Sequence, residues 1–265
     1  MVRTLLVRGL LLGLLAGLVA GAFAFAVGEP RIDEAIALEK AAAVHEHGAA
    51  AEPESAPRGH VAAHGHESGT HEQESGTHEH GEEVGRGTQK AGLFLATGLY
   101  GLAVGGVFAL AFAGLRGRVG PRSDAALALA AAGTAFAAVI VVPFLKYPAN
   151  PPAVGDPETI NTRTLLYLAM IGVGLLSTAI AVTTARGVRG GPWARWPAAV
   201  LAFVVPVAVA SVLLPTVDEV PDGFPATLLW QFRITSLGTQ LVFWACFGTL
   251  FGWFCDRAAR APAPA

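Results

Sequence analysis

Charge is scarce along this chain of 265 residues: only 14% are Asp, Glu, Lys or Arg, against about 25% in soluble domains. That scarcity, with a mean hydropathy of +0.51, makes lipid the expected solvent. No basic patch stands out, which excludes a nucleic-acid partner. Only two cysteines occur, Cys246 and Cys255. They lack Cys-x-x-Cys spacing and sit on different helical turns, so they read as small apolar residues and not as a redox pair. No Gly-x-x-x-x-Gly-Lys-[Ser/Thr] is present, so the chain does not itself drive anything with nucleotide. Neither His-Glu-x-x-His nor Gly-x-Ser-x-Gly occurs. No catalytic residue can be assigned, and the chain is not read as an enzyme.

What the chain has is long apolar runs. Residues 9–28, 91–115, 125–145, 164–185, 196–217 and 234–255 contain no Asp, Glu, Lys or Arg. A spanning helix needs about 20 apolar residues, and hydrocarbon tolerates only helices or closed barrels. Barrel strands alternate and cross in roughly 10 residues, so these runs predict an all-α, polytopic bundle of six spans. The first run follows Arg3 and Arg8 and contains Ala22-Phe23-Ala24, a small-x-small pattern that a signal peptidase reads. Its apolar core is longer than the roughly 7–15 residues of a signal peptide. It also places Gly9, Gly13, Gly17 and Gly21 on one face, a stripe that permits close helix packing. A retained span is therefore expected; cleavage would leave five.

Orientation follows from basic residues in short connections. Arg3, Arg8, Arg116, Arg118, Arg122, Arg186, Arg189, Arg195, Arg257 and Arg260 fall on one side, against Lys146, Arg163 and Arg233 on the other. Both termini are expected in the cytoplasm, with 28–90, 146–163 and 218–233 outside. The organisation is a first span (1–28), a hydrophilic outward segment (29–90), a five-span bundle (91–255) and a cytoplasmic tail (256–265).

Histidine is missing from the whole chain except one window. His45, His47, His60, His64, His66, His71, His78 and His80 all lie in the 28–90 segment, three pairs of them as His-x-His. Glu-Ser-Gly-Thr-His-Glu occurs twice, from Glu67 and from Glu74. Thirteen acids against five bases give the segment a net charge of −8. Such composition cannot bury enough apolar surface to fold alone, so disorder is expected over 45–85. Neutral imidazole suits zinc, nickel, copper and cobalt, and the glutamates concentrate cations. With a reference pKa near 6.5, such ligands are free at neutral pH and lost in acid. The repeats suggest many equivalent ligands. A solvated linker that binds metal only incidentally is the competing reading.

The outward connection from Pro143 to Asn161 holds five prolines between 143 and 157, which exclude a helix interior. Lys146, Tyr147, Asn150, Asp156 and Glu158 there are candidates for a cation vestibule. Asp156 equally suits a cap of the next helix, and Tyr147 an interface anchor. The connection from Leu214 to Arg233 adds Asp218, Glu219 and Asp222, a second cation-attracting group or ordinary polar turns, and Ala226–Arg233 suggests a short interfacial helix. Within the spans Gln240 is the largest polar candidate on a path. Pro206 is expected to kink the fifth span and free carbonyls toward a cavity.

Several blocks carry a family resemblance. They are Gly28-Glu29-Pro30, Ile36-Ala-Leu-Glu-Lys40, Val142-Pro-Phe-Leu-Lys-Tyr-Pro-Ala-Asn-Pro-Pro152, Gly155-Asp-Pro-Glu-Thr159, Asp218-Glu-Val-Pro-Asp-Gly-Phe-Pro225 and Trp230-Gln-Phe-Arg-Ile-Thr-Ser-Leu-Gly-Thr-Gln240. With them the chain resembles the predicted cobalt transporter subunit family CbtA. The resemblance implies cobalt uptake in a bacterial cytoplasmic (inner) membrane, tied to cobalamin biosynthesis, beside a small His-containing membrane partner, CbtB. The reading is a transporter subunit for a divalent transition metal, cobalt first, with nickel or zinc as further cargoes. No permanently bound cofactor is expected. Beyond the bilayer and that partner, a homo-oligomer stays open. The alternative is a membrane-anchored metal buffer or sensor that transports nothing.

Overall fold

The computed structural model describes residues 2–49, 85–152 and 154–260. Each apolar run becomes a helix, because backbone N–H and C=O groups must pair within the segment where no water reaches them. The elements are α1 (Val2–Phe23), α2 (Glu29–Ala49), α3 (Arg86–Leu115), α4 (Asp124–Ala135), α5 (Val142–Lys146), α6 (Ile160–Gly187), α7 (Pro192–Leu213) and α8 (Ala226–Arg260). Two π-helical turns, Ala24–Gly28 and Phe136–Val141, join α1 to α2 and α4 to α5. Among the described residues there is no strand, and six helical segments are long and apolar enough to cross a membrane.

The two π turns share a cause. Each ends two residues before a proline, Pro30 and Pro143, and the residue in between donates its N–H five positions back: Glu29 to Ala24 and Val142 to Ala137. A helical proline has no N–H and clashes with the carbonyl four residues earlier. Widening the turn just ahead of it relieves that clash without ending the helix.

The glycine stripe forms the tightest seam. α1 packs antiparallel on α3, and a Cβ built on Gly13 would stand 2.1 Å from the Gly101 carbonyl oxygen; one on Gly9 would stand 2.3 Å from that of Gly105. α3 answers with its own glycines, since a Cβ on Gly105 would meet the Gly9 oxygen at 2.1 Å. Backbones this close gain dispersion and Cα–H···O contacts, the forces left for helix association in lipid. α8 then packs on α1 and α4 through a buried aromatic stack of Phe243, Phe247 and Phe251, which Phe108 and Phe112 of α3 meet edge-on. Cys255 is buried in the same core.

Three expectations need correction. The outward segment expected from residue 29 opens as a helix: the π turn carries the first helix through Glu29 and Pro30 into α2, which runs to Ala49. The Ala226–Arg233 stretch is helical but is the opening of one 35-residue helix, not a separate interfacial one. Pro206 lies within α7, which packs chiefly on α6 and has no buried residue, so carbonyls near it do not reach the cavity described below.

Candidate functional site

Two connections close one end of the bundle, and side-chain bonds fix both. In the first, the Asp156 carboxylate accepts the Glu158 N–H at 2.8 Å, and its carbonyl accepts the Thr159 N–H at 3.1 Å and hydroxyl at 2.8 Å. Asp156 thus builds the turn that launches α6, an Asx-type role. Gly155 beside it has φ +124°, and a Cβ there would come within 2.7 Å of Arg163 Nη1, so both conformation and space call for glycine. The Tyr147 hydroxyl donates to the Pro215 carbonyl at 2.7 Å and ties one connection to the other. Desolvation raises the Tyr147 pKa above its ordinary value, keeping this phenol a donor.

Two arginines brace the same rim. Arg233 of α8 donates to the Ala149 carbonyl at 3.3 Å and to Asn150 Oδ1 at 3.0 Å. Arg163 of α6 lies 2.8 Å from Glu219 Oε2, and the Glu219 side chain is only 9% exposed. The Thr159 hydroxyl, whose one hydrogen is shared with the Asp156 carbonyl, also meets the other oxygen of Glu219.

Between these braces lies a cavity of about 720 Å³. Ile140 and Phe144 form one wall, Tyr167 and Leu168 of α6 another, and Ser236, Leu237 and Gln240 of α8 a third. Gln240 also accepts a hydrogen bond from the Tyr100 hydroxyl of α3 at 3.1 Å. One turn further along α8 the aromatic stack begins at Phe243, which is 1% exposed. The cavity thus opens at the end bearing the 28–90 segment, and buried rings fill the bundle beyond Gln240. Its four charged side chains are Arg163, Arg233, Asp218 and Glu219, so the formal charges cancel.

Of the residues singled out in the sequence, Tyr147, Asn150, Asp218, Glu219 and Gln240 line this one cavity, though they are spread over 94 positions. Lys146, Asp156, Glu158 and Asp222 do not. Lys146 lies over the ring of Tyr147 at 5.9 Å, and Glu158 and Asp222 face outward. His45 and His47 fall on the helical backbone of α2, whose side chains beyond residue 41 are outside the described set; His60, His64, His66, His71, His78 and His80 lie outside the described residues. Among the described residues no three His, Cys, Asp or Glu come together as a metal-holding group. Sequence reasoning missed Arg163, Arg233, Tyr100, Tyr167 and Thr159. The two arginines are visible as the charges bordering the fourth and sixth runs, yet nothing local says that they turn inward.

Fold and cavity define the class: a polytopic helical membrane protein with a cavity at one end, lined by apolar side chains and a few charged and polar ones. Residues 2–256, nearly the whole chain, match the family described as "probable cobalt transporter subunit (CbtA)". The chain belongs to that family. No curated protein and no solved structure matches it.

Proposed function

We propose that this chain is the membrane-embedded subunit of an uptake system for a divalent transition metal, cobalt foremost. Membership of the CbtA family is the observation that carries this reading. In it, both termini are cytoplasmic, the histidine-rich segment gathers ions outside, and the cavity between the 147–159 and 214–225 connections receives them. α2 supports the antenna role: at about 1.5 Å per residue it carries position 45 roughly 24 Å beyond Glu29. A small membrane partner completes the system, as the word subunit implies.

The test is cobalt accumulation in a bacterium lacking its own uptake route, expressing the chain with its partner. Deleting residues 45–80 should leave transport in place at high cobalt and weaken it at low cobalt. Failure of the intact pair to raise cell cobalt at any concentration would defeat the proposal. The aromatic filling beyond Gln240 favours one second reading, capture without passage. That reading predicts surface-bound cobalt that a chelator strips completely.

A further inference from the structure

The least expected group on a cation route is a guanidinium facing the cavity, and here two do. Arg233 is spent on neutral oxygens of the 147–150 stretch. Arg163 instead covers a carboxylate. Glu219 is nine-tenths buried, lines the cavity, and among the described residues has only Arg163 and Thr159 as partners. The contact is also incomplete: Oε2 lies 2.8 Å from Arg163 Nη1 but accepts no well-directed hydrogen bond, and Arg163 Nε is buried without an acceptor. A buried carboxylate and guanidinium normally fill such valences in fork geometry. Asp218, the adjoining residue, lines the same cavity, is exposed, and has no ion-pair partner among the described residues.

We infer that Glu219 is a cation-binding carboxylate of the cavity, masked by Arg163, and that an arriving divalent metal displaces the arginine. This deepens the uptake reading above and rests on it. A divalent ion attracts one carboxylate twice as strongly as a guanidinium does at the same distance, and Arg163 gives up a poorly directed bond when it leaves. Asp218 at the mouth supplies the first contact, and Glu219 in the same cavity the second. One or two carboxylates hold a divalent ion loosely, as a relay needs. Because Arg163 belongs to α6 and Glu219 to the 214–225 connection, displacement also removes one of the bonds that tie that connection to the start of α6. Cargo occupancy thereby loosens the rim.

The experiment compares wild type, Arg163→Gln, Glu219→Gln and the double variant as purified full chains, measuring the thermal shift caused by cobalt chloride, alongside uptake in cells. The histidine segment contributes equally to all four and subtracts out. Arg163→Gln should respond at lower cobalt than wild type, by roughly fivefold or more, the scale of ordinary site-to-site coupling. Glu219→Gln and the double variant should lose that component. The double variant buries no orphan charge, so it folds even if a single variant does not. If it shows the wild-type cobalt shift and uptake, the pair is only a clamp and the inference is overturned. If wild type itself shows the shift but no uptake, the uptake reading fails while the site stands.

Discussion

Replacing Gly13 with alanine adds one methyl group to the tightest contact in the molecule. That carbon would stand 2.1 Å from the Gly101 carbonyl oxygen and 2.9 Å from the Gly105 Cα, where an ordinary carbon–oxygen contact needs about 3.3 Å. The obstacle is backbone, so no rotamer change clears it and the helices must part by roughly 1 Å. Such separation loosens Gly9 and Gly17 in the same seam, and overpacking of this kind costs about 1–3 kcal/mol. On the scale for chains of this size, about 2 kcal/mol lowers the melting midpoint by roughly 4–8 °C. Gly133→Ala is the internal control: it lies in α4 with nothing within 4 Å of the added carbon, and it should be neutral or gain up to about 1 kcal/mol from helix propensity. The assay is the monodisperse fraction by size exclusion after heating in detergent. Equal melting of Gly13→Ala and Gly133→Ala would refute the packing argument.

Other outcomes follow from the same contacts. Intact mass of the membrane-extracted protein should match the uncleaved chain, since α1 supplies half of the glycine seam; a mass short by the first 24 residues would show otherwise. Tyr100→Phe removes the 3.1 Å bond to Gln240 and should cost about 1 kcal/mol while leaving the cavity open, readable as a small drop in melting temperature. Arg116→Gln leaves the Asp124 carboxylate, 10% exposed, without its guanidinium partner, and should cost about 1–3 kcal/mol. Conservative Asp124→Asn in the same background should recover part of that loss. Cobalt retention by the histidine segment should fall as pH drops through about 6.5, because protons compete for imidazole nitrogen. Equilibrium dialysis at pH 5 and 8 reads this, and equal binding at both would point away from histidine.

Span number and helical class were legible because hydrocarbon leaves so few options for backbone hydrogen bonding that length and apolarity decide the matter. The Gly9–Gly21 stripe was legible too, as a four-residue period on one face. Its receiving partner was not, since Gly101 and Gly105 are two among many glycines in α3 and only the docked register singles them out. α2 was not legible because the whole 29–90 segment reads, by its charge and composition, as one hydrophilic loop. The π turn absorbs the proline, and the run from Ile36 through Ala43 is rich in strong helix formers. In the cavity, Tyr147, Asn150, Asp218 and Glu219 could be named from loop position and polarity, and Gln240 as the largest polar side chain within a span. Arg163–Glu219 and Tyr100–Gln240 could not, being 56 and 140 positions apart; pairs at such separation are set by helix packing. Asp156 shows the reverse, a candidate ligand whose carboxylate is taken up by its own local turn, where it accepts the Glu158 N–H.

The central claim is that cobalt crosses the membrane through a system containing this chain. Its most direct test is reconstitution of the chain with its small partner into liposomes enclosing a cobalt-quenched dye. The account predicts quenching on adding external cobalt, resistant to an impermeant chelator added afterwards and absent from liposomes lacking the chain. Quenching that the chelator fully reverses, or that protein-free liposomes reproduce, would contradict it.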